Sequence, residues 1–145
     1  MRVFLDTNVL VSALTTRGLC SEVLETVLVA HELVVAEPLF VELRRVLARK
    51  FGIPAGVITG YEELLRRQGE SAAPGLLPPG LQRAGRVDRP DRILLACALG
   101  GNASLFATGD RQLMALKRVA ALQVVGAREC WQLLGGHAPR GSRSR

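Results

Sequence analysis

Four short apolar runs, Val3–Leu5, Leu33–Val35, Leu105–Ala107 and Leu122–Val125, punctuate the chain, and stretches of helical period fill the intervals between them. Buried strands of a parallel sheet read this way, because both faces are covered and apolar residues need not alternate with polar ones. The helical stretches are Val9–Leu14, Ser21–Ala30, Pro38–Lys50, Ala55–Arg67, Asp91–Gly100, Arg111–Leu116 and Ala127–Leu134. Strands alternating with helices predict an α/β fold, a three-layer α/β/α domain with a mostly parallel central sheet and right-handed crossovers. One domain accounts for most of the 145 residues and is expected over 1–134. Hydrophobic residues make up 48% and aromatics 4%, so the core is aliphatic and large enough to stand without disulfide or metal staples.

Residues 69–90 break the rhythm. Gly69, Pro74, Gly75, Pro78, Pro79, Gly80 and Gly85 interrupt any period there. A segment of this length is expected to be a functional surface loop or partly mobile, with a short strand around Leu76–Leu77. From about Gly135 the Gly/Ser/Arg composition predicts a disordered basic tail, 135–145. Three of the six units of formal positive charge come from its Arg140, Arg143 and Arg145, so the folded body is only mildly basic. That balance suits a polyanionic partner without demanding one.

Several function classes are excluded early. Cys20, Cys97 and Cys130 are odd in number, far apart and each in a predicted helix, which reads as reduced thiols rather than a disulfide framework. His31 and His137 are not spaced to complete a zinc site with them. The longest clean apolar run, Ile93 to Leu99, is far short of the ~18 residues that span a bilayer. Arg2-Val-Phe-Leu begins a strand with no signal-peptide pattern before it, so no membrane association and a cytoplasmic location are expected.

Four acids carry the functional signal. Asp6 ends the first apolar run, where a carboxylate between apolar neighbours is costly unless partnered. Asp110 follows the strand Leu105–Ala107, and Asp91 lies in a first helical turn just after Pro90. In a parallel sheet, strand C-termini and helix N-termini share one edge, where ligands bind. Glu42 borders the apolar stripe Leu39, Phe40, Leu43, Val46 and Leu47, from which it can lean towards that edge. Each acid has a plainer reading alone. Asp6 and Asp110 could cap helices, Asp91 could complement a helix dipole, and Glu42 could pair with an arginine.

Together they have an electrostatic consequence. Two carboxylates ~6 Å apart repel by about 3 kcal/mol at an effective dielectric of ~20. A cluster of four raises its own pKa values until protons or a cation relieve it. Hard oxygen ligands select Mg²⁺ or Mn²⁺ over zinc. Such an ion polarises phosphoryl oxygen and acidifies bound water, the chemistry of phosphodiester hydrolysis.

The segments Val3-Phe-Leu-Asp-Thr-Asn-Val-Leu, Glu42-Leu-Arg-Arg-Val-Leu, Asp91-Arg-Ile-Leu-Leu-Ala-Cys-Ala-Leu and Thr108-Gly-Asp110 followed by Leu113 resemble those of PIN-domain nucleases, and most of all the VapC-like toxins of toxin–antitoxin systems. The likeness runs from residue 2 to about 134. It implies a PIN-like fold and Mg²⁺- or Mn²⁺-dependent endonuclease activity on single-stranded RNA. It also implies a small antitoxin partner and a homodimer. By motif, Asp6, Glu42, Asp91 and Asp110 take the catalytic and metal-binding positions, with Asn8 and Thr108 in support. Where relatives carry an aspartate-rich run this chain reads Asp88-Arg-Pro-Asp91-Arg, so Asp88 and Asp91 both bid for the third position. The helical register of Asp91-Arg-Ile-Leu-Leu-Ala favours Asp91. Arg45, Arg49, Arg89, Arg92 and Arg111 are the candidate phosphate contacts. Two other readings compete. A non-enzymatic RNA-binding PIN domain needs none of the four acids. A haloacid-dehalogenase-like phosphatase needs a second aspartate where this chain has Asn8.

Overall fold

A computed structural model of the chain describes residues 1–83, 85 and 87–136. The expected basic tail lies outside the described residues from His137 onward. In chain order the elements are β1 (Arg2–Leu5), α1 (Thr7–Thr15), α2 (Leu19–Ala30), β2 (Glu32–Val35), α3 (Glu37–Arg49), α4 (Ala55–Gln68), β3 (Gly69–Ser71), α5 (Arg89–Gly100), β4 (Leu105–Ala107), α6 (Arg111–Met114), β5 (Arg118–Val119), β6 (Leu122–Val125) and α7 (Ala127–Leu133). Among the described residues the sheet has six strands in the order β3-β2-β1-β4-β6-β5, parallel throughout except for β5 against β6.

The four apolar runs become β1, β2, β4 and β6. Val3, Phe4 and Leu5 are fully buried, as are most of their neighbours across the sheet. Phe4 stands opposite Phe106 in the β1–β4 register, and their rings stack with centroids 5.3 Å apart. Such cross-strand aromatic pairs favour one register over its slips, because a one-residue shift would move each side chain to the other face. Helix α2 packs on α1 and α7, and α3 packs on α1, α4 and α5. The sheet is thus covered by helices on both faces, the three layers expected of the pattern.

Two strands differ from expectation. The short strand is Gly69–Ser71, not Leu76–Leu77. Gly-Glu-Ser has little strand propensity, and pairing to the free edge of β2 is what makes it a strand. Gly69 allows it: an added Cβ would stand 2.8 Å from the Leu65 carbonyl and 3.0 Å from Val35, so α4 can run straight into β3 only with glycine there. Strand β5 is the second surprise, a two-residue edge turned back on β6 through left-handed backbone at Lys117 and Ala120.

The Pro/Gly-rich segment is anchored. Leu77, Leu81 and Val87 bury their side chains, while Leu76 faces solvent. The Gly75 N–H donates to the Ala96 carbonyl at 2.7 Å, seating the chain on the last turns of α5. A Cβ on Gly100 would meet the Ala73 carbonyl at 1.8 Å. Gly100→Ala is therefore expected to force this segment off the helix and cost about 1–3 kcal/mol, the usual penalty of overpacking. Urea unfolding should show a lower midpoint with an unchanged slope. An unchanged midpoint would mean that this contact does not hold the loop.

Candidate active site

The chain builds β1, β2 and β3 outward in one direction, then returns to lay β4 on the other side of β1. The crevice between the ends of β1 and β4 is therefore the point where strand order reverses, the preferred ligand position in open α/β sheets. Asp6 follows β1, and Thr108, Gly109 and Asp110 follow β4.

A hydrogen-bond network spans that crevice. Asp6 is only 3% exposed. Its Oδ1 accepts the Thr7 N–H at 2.7 Å, capping α1. Its Oδ2 accepts the Thr108 hydroxyl at 2.7 Å and the Asn8 amide at 3.3 Å. The fully buried Thr108 Oγ1 accepts in turn from the Asp110 N–H at 3.0 Å. Asn8 Oδ1 accepts from the Gly109 N–H at 2.8 Å. Asp110 Oδ1 caps α6 through the Gln112 and Leu113 N–H groups. Both acids therefore cap helices, each with one oxygen, and capping does not exclude them from a site.

The remaining acids come from the flanking helices. Glu42 is half-buried on α3, and its Oε1 accepts the Thr7 hydroxyl. Arg45 Nη2 stands 4.0 Å from Glu42 Oε2, a loose contact on an exposed side chain. Asp91 lies in the first turn of α5, with Pro90 beside it. Asp88 is the exposed N-cap residue of that helix and makes no side-chain capping bond. All four of Asp6, Glu42, Asp91 and Asp110 line one cleft of about 460 Å³, and Asp88 is not among its lining residues.

The charges feel one another. Burial, then the charges of Asp6, Asp110, Glu42 and Asp88, push the Asp91 carboxyl up to about 6. The Asp6 carboxyl is also raised. Burial is the largest cause, opposed by the hydrogen bonds from Thr108 and Thr7 and reinforced by Glu42 and Asp110. Acids from four separate parts of the chain thus share one electrostatic neighbourhood.

Among the described residues, no three acidic, histidine or cysteine side chains stand close enough to clasp an ion by direct ligation. The acids ring the cleft instead of converging on one point. Mg²⁺ suits such an arrangement, since it keeps several waters and commonly takes only one or two carboxylates directly. The all-oxygen donor set and the raised carboxyls fit a hard divalent cation.

The candidate arginines divide. Arg45 and Arg89 line an adjoining groove of about 390 Å³ between α3 and α5, which shares Glu42 with the cleft. Arg92 Nη1 donates to the Val87 carbonyl at 2.6 Å, so part of its guanidinium holds the preceding loop. Arg49 and Arg111 lie on the surface and line neither the cleft nor the groove. Sequence reasoning missed Thr7, Lys50 and Phe51, which also line the cleft. Lys50 and Phe51 sit where the apolar stripe of α3 stops, so periodicity carried no signal for them.

The sequence matches the PIN domain family over residues 2–112. No curated protein matches the chain. Among solved structures it is similar to VapBC2 from Rickettsia felis bound to a DNA fragment from their promoter, at a TM-score of 0.61 and 14% identity, covering 87% of this chain and 98% of that one. At that identity the likeness speaks for the fold.

Proposed function

The chain belongs to the PIN-domain family, and on that premise we propose that it is a divalent-metal-dependent endoribonuclease hydrolysing phosphodiester bonds in single-stranded RNA. The observation that carries this reading is the gathering of four acids in one cleft, with Asp91 pushed up to about 6 by burial and then by its acidic neighbours. A protein gains nothing in stability from such repulsion. A cation held there repays it, and Asp6, Glu42, Asp91 and Asp110 are the residues that would hold Mg²⁺ or Mn²⁺. When bound, the ion supplies Lewis acidity and a more acidic water.

The chain's own groups orient and tune. Thr108, Asn8 and the Thr7 N–H lock the Asp6 carboxylate in one orientation. The Thr7 hydroxyl does the same for Glu42. Burial and the neighbouring acids raise the Asp91 carboxyl in the metal-free site, and a bound cation would relieve that by taking the place of its proton. Arg45, Arg49, Arg89, Arg92 and Arg111 remain candidate phosphate contacts, with Arg45 and Arg89 on a groove that shares Glu42 with the cleft.

The likeness to VapBC2 supports extending the proposal to a toxin–antitoxin role, with a small antitoxin partner, a homodimer and a cytoplasmic location. Among the described residues no helix is long and apolar enough to cross a membrane. A purely RNA-binding domain would have no use for four acids in one cleft, and a haloacid-dehalogenase-like phosphatase would need an acid where Asn8 bonds to Gly109.

Labelled single-stranded RNA incubated with the purified protein is expected to be cleaved with Mg²⁺ or Mn²⁺ and left intact in EDTA. Cleavage that persists in EDTA would remove the metal mechanism. Binding without cleavage across a random-sequence RNA pool would leave the non-enzymatic reading standing.

A further inference from the structure

The chain has few aromatic residues and buries most of them. Phe4, Phe40 and Phe106 are at most 1% exposed, and Tyr61 is buried with its hydroxyl donating to the Leu10 carbonyl. Trp131 is partly buried, and Phe51 is the most exposed of them. It is 49% exposed, and it lines the acidic cleft next to Lys50. Single exposed apolar residues are common and need no explanation. This one sits on the wall of the cleft where a substrate would lie, with a cation beside it.

The turn after α3 holds Phe51 in place. Gly52 adopts φ 60°, its N–H donates to the Ala48 carbonyl at 3.2 Å, and the Ile53 N–H donates to Leu47 at 3.0 Å. Ile53 packs against the core, so the ring is carried on a braced turn. The facing wall, from α1, has little to offer an anion. The Thr15 hydroxyl is spent on the Val11 carbonyl and the Thr16 hydroxyl on Ser12, both at 2.8 Å. The cleft's other charged groups are the four acids. A polyanion entering this cleft therefore needs a cation and a contact indifferent to charge, and Lys50 and Phe51 supply one each.

We infer that Phe51 and Lys50 form a nucleotide subsite of the cleft, Phe51 stacking on a nucleobase beside the scissile bond and Lys50 meeting an adjoining phosphate. The inference rests on the single-stranded RNA reading above. Stacking on an aromatic face is tolerant of base identity, because every base has a π-face. Lys50 at the end of α3 also complements that helix's dipole, but a dipole has no need of an aromatic neighbour open to solvent.

The test uses the full chain carrying Asp6→Asn, so that RNA is bound and not consumed. The probe is a fluorescein-labelled single-stranded oligoribonucleotide of about twelve nucleotides, within the span of such sites, read by anisotropy with Mg²⁺ present. Adding Phe51→Ala is expected to weaken binding roughly 5- to 150-fold, the range of one lost base stack. Phe51→Trp should preserve affinity, and Phe51→Leu should lose most of it despite remaining apolar. Lys50→Ala should flatten the dependence of log affinity on log salt by about 0.7. A single abasic residue walked along the probe should cost affinity at one register with Phe51 present and nothing further in Phe51→Ala. Unchanged affinity in Phe51→Ala overturns the inference, even if that variant loses a protein partner. Failure of the Asp6→Asn parent to bind the probe at all overturns the single-stranded RNA reading, and this subsite with it.

Discussion

Asp6→Asn is expected to lower metal-dependent RNA cleavage by on the order of 10²-fold or more, as deletions of other preorganised electrostatic groups do. The metal-free protein should be no less stable for the change. Asn keeps the cap on α1, since an amide oxygen accepts the Thr7 N–H as a carboxylate does. Its Nδ2 then takes the place of the oxygen that accepts from Thr108 and Asn8, so the bond from Thr108 is lost unless that hydroxyl turns to accept instead. Against that loss stands the net effect of the site, which raises the Asp6 carboxyl and so disfavours its charged form. Burial and repulsion outweigh the hydrogen bonds, and a neutral isostere escapes both.

Metal linkage sharpens the comparison. At an ion concentration 100-fold above Kd, native-state binding adds about 2.7 kcal/mol. For a domain of this size that raises Tm by roughly 5–10 °C. The wild type should show this rise with Mn²⁺ over EDTA, and Asp6→Asn should show much less. An equal rise in both proteins, with cleavage intact in the variant, would take Asp6 out of the site.

The second large effect is on pH. Asp91 titrates at about 6, above the ordinary 3.8, so the metal-free fold binds a proton there that the unfolded chain releases. The stabilisation this proton gives is fully present below about 4. It is lost as pH rises through about 6. A bound divalent cation has the opposite requirement, because it competes with that proton. Cleavage at limiting Mg²⁺ is therefore expected to rise about tenfold per pH unit below 6 and to level off above it. The metal-free Tm should drift the other way over the same window, and Asp91→Asn should remove that part of the drift. A rate that is flat from pH 5 to 7.5 in the wild type would show that Asp91 does not titrate in the working site.

The sequence by itself determined the core strands, most of the helices and the candidate acids. Val3–Leu5, Leu33–Val35, Leu105–Ala107 and Leu122–Val125 are legible because a strand covered on both faces is apolar almost throughout, Gln123 being the one polar residue among them. Asp6 and Asp110 are legible because each follows such a run, and Asp91 because it lies in a first helical turn just after Pro90, at the same sheet edge. Only the tertiary structure decided the rest. Gly69–Ser71 has no propensity of its own and becomes a strand because β2 leaves an edge open beside it. Thr108 and Asp6, 102 residues apart, meet because β4 returns to the far side of β1. The raised pKa of Asp91 comes first from burial and then from the charges of Asp6, Asp110 and Glu42 brought to one cleft, a sum that no local window contains. Phe51 looks like an ordinary apolar residue at the end of a helix, and becomes notable only when the fold leaves its ring half in solvent on the cleft wall. Local pattern reports what each residue must be shielded from, whereas long-range packing decides what it faces.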